Sequence, residues 1–167
     1  MSVVKKSFVS ILALVLLICV IPFPQAQAAS APESTTYVED LGNGIIAETT
    51  VTVEPGFARN YSTSATIASK FTNKGTWIGT VSFKAYFTYN HITAGVTGTE
   101  YAKNIASGWS YTNHKITTTT VSSSNGGTAT LTANLKNFPL NVAVRLSLHC
   151  DPDGNVTRVC LLYTSPS

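Results

Sequence analysis

The stretch "TWIGTVSFKAYFTYN" (76–90) constrains this chain more than any other. Trp77, Val81, Phe83, Ala85, Phe87 and Tyr89 fall on odd positions, while Thr76, Thr80, Ser82, Lys84 and Thr88 fall between them. A period of two over that length means a long strand with one buried and one wet face. Ile78 and Tyr86 are apolar residues on the polar side. "ITAGV" follows, and a two-residue turn at Asn90-His91 predicts pairs Tyr89–Ile92, Phe87–Ala94 and Ala85–Val96.

Three-residue loops give further hairpins. "GNG" (42–44) pairs Leu41 with Ile45 and Tyr37 with Thr49, and "NGG" (125–127) pairs Val121 with Leu131. "PDG" (152–154) suits a type I turn with a left-handed glycine and pairs Cys150 with Val156. In "VAVRLSLHC", Val142, Val144, Leu146, Leu148 and Cys150 point inward, and Arg145, Ser147 and His149 outward. "FARNYSTSATIASKF" and "TGTEYAKNIASGWSYTNHK" are the least regular segments, open to helix or loop. About eight short strands with tight turns predict an all-β fold, an antiparallel β-sandwich immunoglobulin-like in the loose sense, with a small barrel as the runner-up.

The N-terminus has the features of a secretory signal. Lys5 and Lys6 precede the apolar "FVSILALVLLICVIPF", and Ala26-Gln27-Ala28 supplies small residues for cleavage. The apolar run falls short of the ~20 residues of a membrane span, and Pro22 and Pro24 interrupt it. Lipidation at Cys19 is disfavoured by the bulky Ile18 before it. The expected organisation is a signal peptide 1–28 (a signal helix), a flexible leader 29–35 and a single sandwich domain 36–159. Lys5 and Lys6 account for two of the 11 Lys and Arg, leaving nine against eight Asp and Glu, a net charge of +1. That balance, without a basic run, argues against nucleic acid as a partner and against membrane attachment after signal cleavage.

Residues 160–167, "CLLYTSPS", lack alternation and a turn signal. One codon string that would encode them, TGT-CTC-TTA-TAC-ACA-TCT-CCG-AGC, resembles a transposon-end sequencing adapter. The reading that follows is a non-native tail on a domain truncated near Val159. In the predicted hairpin Cys160 lies opposite Leu146, too far from Cys150 for a disulfide. Cys150 is then a lone inward-facing thiol.

No motif nominates catalytic residues or a cofactor. His91, His114 and His149 match no metal spacing and are expected to be solvated. His149 and Cys150 are strand neighbours and point to opposite faces, so they form no dyad. Asp151, Asp153 and Asn155 alternate oxygens around Gly154 like half a calcium loop, but no acidic residue follows before 160, and the turn reading is preferred. The binding candidates are Tyr101, Trp109, Tyr111 and Asn113, with Asn104 nearby: aromatic area flanked by amides suits sugars or protein partners. The competing reading packs Trp109 and Tyr111 into the core.

"EDLGNGIIAETTVTV", "GTVSFKAYFTYN", "GWSYTN", "GGTATLTANL" and "LSLHCDPDGNV" resemble stretches of small secreted β-rich proteins of Gram-positive gut bacteria. In that group the turn after Tyr89 is usually Asn-Gly, where this chain has Asn90-His91. The resemblance implies export and a β domain, and it implies no activity and no site residue. The expectation is a secreted, non-enzymatic interaction domain at or near the cell envelope, binding a cell-wall glycan or a surface protein. The alternatives are a released antibacterial or host-directed effector, and a hydrolase whose catalytic residues lie beyond Val159.

Overall fold

A computed structural model describes residues 31–56, 61–119 and 124–159, and the backbone of 163–166. The signal peptide and Ala29 and Ser30 of the leader lie outside the described residues. β1 (Glu33–Gly42), β2 (Ile45–Glu54), β3 (Ser62–Asn73), β4 (Thr76–Tyr89) and β5 (Ala94–Ile105) form one antiparallel sheet in chain order. β6 (Ser110–Thr118), β7 (Gly127–Asn137) and β8 (Leu140–Cys150) begin the second. Its far edge is made by β9 (Val156–Arg158) and β10 (Tyr163–Pro166), which pair with different stretches of β8. The result is an all-β sandwich of two sheets. Both sheets are meanders, so the immunoglobulin likeness is one of layers and not of Greek-key connections. No helix among the described residues is long and apolar enough to cross a membrane.

The core lies between the sheets. Phe71, Val81, Phe83 and Phe87 of the first sheet meet Leu131, Leu135, Val144, Leu146 and Leu148 of the second, all buried. β8 buries the five residues its alternation predicts, but Ser147, expected outside, is also buried and shares a 2.7 Å hydrogen bond with Thr130. Ile78 is buried and Trp77 only half-buried because the β3–β4 register shifts between Phe71 and Thr72, which rotates the start of β4.

Some predicted registers hold and others move. Cys150 pairs with Val156, and Tyr37 with Thr49. At "GNG", however, Ile45 faces Gly42, because Asn43 and Gly44 form a two-residue turn with positive φ and Leu41 is bulged out. After β4, Tyr89 pairs with Ala94 and Phe87 with Val96, so the loop is 90–93 and not two residues. Asn90 Oδ1 causes this: it accepts from the Ile92 and Thr93 amides and the Thr93 hydroxyl. A shift of two keeps the same faces inward, which is why alternation alone did not detect it. Leu131 pairs with Ile116 and not with Val121, since β6 ends at Thr118; Val121 lies outside the described residues. Of the two segments left open to helix or loop, the first runs into strand β3 from Ser62 on, with residues 57–60 outside the described ones, and the second is the end of β5, a short turn at 106–109 and the start of β6.

Glu33, Ser34 and Thr35, placed in the leader by sequence, open β1 and pair with Val53, Thr52 and Val51. Tyr163–Pro166, placed outside the fold, lies along Ala143–Leu140. Backbone pairing at a sheet edge accepts almost any sequence, so this strand bears on the fold and not on where the residues come from.

Candidate functional site

β5 and β6 are the edges of the two sheets on one flank, and bulges on both shape what they present. Thr97 is the extra residue where Tyr86 faces Gly98 and Phe87 faces Val96. Before it Ala94 and Val96 point inward; after it the inward row is Thr99, Tyr101, Lys103 and Ile105, opposite Ala85, Phe83, Val81 and Gly79. On β6, Asn113 and His114 stand between the pairs Thr112–Asn134 and Lys115–Thr132. Asn113 has φ 54°, a left-handed conformation that Asn tolerates better than most residues. This bulge lets Tyr111 and Ile116, five residues apart, both face inward.

Three rings stack across the flank. His114 lies in the middle, with ring centroids 5.4 Å from Tyr101 at 32° and 5.9 Å from Tyr111 at 26°. Lys103 Nζ sits 4.4 Å from the Tyr111 centroid, within cation–π range. Tyr101 Oη and His114 Nε2 are 3.4 Å apart. Tyr101 ends the stack and is 40% exposed. Tyr111 is half-buried against the core, and burial followed by the nearby Tyr101 pushes its phenol up to about 12. Its hydroxyl has no partner among the described residues.

Tyr101 and Tyr111 are therefore brought together, through a histidine that sequence reasoning treated as solvated. Trp109 lies apart, half-buried against the core, with its amide donating to Ala106 O at 3.1 Å. Asn113 is exposed beside the stack, and its φ accounts for its residue type. Lys103 was also missed. Its same-face spacing from Tyr101 was the available signal, but the Thr97 bulge hides that face from a parity count.

The other polar groupings are structural in character. The Asp151 carboxylate accepts from the Asp153 amide, the Asn155 amide and Asn155 Nδ2, each at 2.9 Å. Partial burial would raise its pKa, yet these donors outweigh it and lower the value. Asp153 meets His91 Nδ1 at 3.1 Å. The oxygens of the calcium candidate thus serve a turn and a cross-loop contact, and no group of three metal-ligating residues occurs among the described ones. Cys150 is fully buried; burial, then the Asp151 charge, pushes its thiol up to about 12. Thr128 Oγ1 and His149 Nδ1 are 2.9 Å apart as cross-strand partners, but the neighbouring Asp151 carboxylate is engaged in the turn. Comparison of the chain with protein-family models, with curated proteins and with solved structures found no match.

Proposed function

We propose that this chain is an exported, non-enzymatic interaction domain working at or near the bacterial cell envelope, with the β5–β6 flank as its binding surface and a cell-wall glycan as the favoured ligand. The observation that carries the reading is the Tyr101–His114–Tyr111 stack with Lys103 against it. The inner faces of the stack are occupied by one another, so a sugar would lie on Tyr101, the exposed terminal ring. Lys103 is exposed on the same face of β5 as Tyr101, and Asn113 is exposed next to His114 in the chain, so both supply orientable groups, while Asn104 points to the other face of β5.

Isothermal titration with purified cell-wall polysaccharide tests this. Wild type should bind, and Tyr101→Ala should weaken binding by roughly tenfold or more, as expected for loss of an aromatic anchor. Equal binding by Tyr101→Ala and His114→Ala would move the site elsewhere, and no binding to any envelope polysaccharide would remove the glycan reading.

A further inference from the structure

On the opposite flank β10 comes near β1 but does not pair with it among the described residues. β1 pairs only with β2 among the described residues, so its other edge carries unpaired backbone N–H and C=O groups. Glu33 to Val38 are all exposed, and this run contains neither Lys nor Pro to guard the edge; its bulge comes only at Leu41. Between β1 and β9 lies a cleft of about 510 Å³. Val51, Val53 and Val156 give it an apolar floor, with Thr35 and Tyr37 at its β1 lip. Arg158 closes one end: its guanidinium lies 4.4 Å from the Tyr37 ring centroid, Nη2 pairs with Glu39, and Nη1 is buried without a partner among the described residues. Glu33 stands at the other end without a cation on its own strand.

We propose that the β1 edge and this cleft take an extended peptide as an added strand, a second binding site on the molecule. Main-chain bonds to Glu33–Tyr37 provide the pairing, and alternate side chains fall into the cleft. The register of β1 sets the preferred sequence. Inward residues opposite Thr35 and Tyr37 are apolar and rest on the valine floor. The inward residue opposite Glu33 is cationic, and those between, on the face of Ser34 and Thr36, are hydroxyl-bearing. Charge sets the occupant apart from a second copy of this chain: two β1 strands side by side would bring Glu33, Glu39 and Asp40 together as like charges. The inference rests on the interaction-domain reading but not on the ring stack.

The probe is a blocked hexapeptide, Lys-Thr-Val-Thr-Val-Thr, titrated into ¹⁵N-labelled protein. Amide shifts should concentrate at 33–38 and 156–158. Thr35→Arg, a change at an exposed lip position, should weaken binding by about tenfold, equivalent to ~1.4 kcal/mol. Tyr37→Ala should weaken it as well, and a peptide with Glu for Lys or with N-methylated alternate amides should bind several-fold less. The proposal is overturned if no shifts occur at 33–38 with millimolar peptide, if Thr35→Arg binds unchanged, or if sedimentation shows the free protein pairing with itself through β1. Peptide failure with polysaccharide still shifting Tyr101 would sink this inference alone. Failure at both flanks would sink the interaction-domain reading with it.

Discussion

Gly127 opens β7 where it packs directly against Gly95 of β5. A methyl group at Gly127 would lie 2.8 Å from Gly95 Cα, 2.9 Å from Gly95 C and 3.1 Å from Gly95 N. Those atoms are backbone in a buried strand, so no rotamer change relieves the contact and the sheets must part locally. Overpacking of this kind costs about 1–3 kcal/mol. Replacing glycine also reduces unfolded-state freedom, which returns about 0.4–1 kcal/mol. Taken at the middle of both ranges, the net loss for Gly127→Ala is about 1–2 kcal/mol. At roughly 3–6 °C per kcal/mol for a domain of this size, melting falls by roughly 3–12 °C. Gly79→Ala is the matched control. It is also a buried strand glycine, and its added methyl meets Ile105 Cδ1 at 3.0 Å, but that atom is a side-chain tip that can move. Its melting temperature should stay within about 2 °C of wild type. Scanning calorimetry reads both. If Gly127→Ala melts no lower than Gly79→Ala, backbone-on-backbone packing is not what joins the sheets there.

Further outcomes follow from the buried and paired groups. Subtracting the alkaline absorbance titration of Tyr111→Phe from that of wild type should isolate a phenol ionising near pH 12, and ionisation near pH 10 would mean that Tyr111 is not buried as described. Iodoacetamide should leave Cys150 unlabelled in native protein and label it in urea, as read by peptide mapping; rapid native labelling would contradict its burial. Lys84 Nζ, 2.9 Å from Glu54 Oε2, followed by the Ser64 hydroxyl, lowers the Glu54 pKa below its ordinary 4.5. The folded state thus resists protonation of Glu54 more than the unfolded chain does, and this stabilisation is present above pH 4.5 and lost as pH falls through the lowered value. Glu54→Gln should therefore flatten the urea midpoint against pH below 4.5, and an unchanged acid limb would show the pair to be inert. Phe83→Ala removes a fully buried ring between the sheets and should cost about 3–5 kcal/mol by denaturant titration.

What was legible in the sequence was governed by parity. The inward rows of β8 and of β4 from Val81 onward follow from alternation because both strands are covered along one face; at the start of β4 the register shift buries Ile78 against the expected parity. Cys150–Val156 follows from turn chemistry around Gly154, whereas Tyr37–Thr49 holds because the Leu41 bulge offsets the shorter two-residue turn at Asn43-Gly44. The misses coincide with bulges and side-chain-built loops. Thr97 and Asn113 each insert a residue and invert parity halfway along a strand, which made β5 and β6 look irregular. Asn90 caps a four-residue loop through its own side chain, a contact that no periodicity records. The ring stack depends on both strand bulges, so its two tyrosines were visible as aromatic residues while His114 and Lys103 were not. The β1–β9 cleft was invisible for a different reason: it joins residues more than a hundred positions apart on different sheets.

The most direct test of the binding-flank reading is an amide chemical-shift map of the ¹⁵N-labelled protein titrated with cell-wall polysaccharide fragments. Saturable shifts centred on Tyr101, Lys103, Tyr111 and His114, and lost in Tyr101→Ala, are the predicted result. Saturable shifts confined to other surfaces, or none with any envelope glycan, would contradict it.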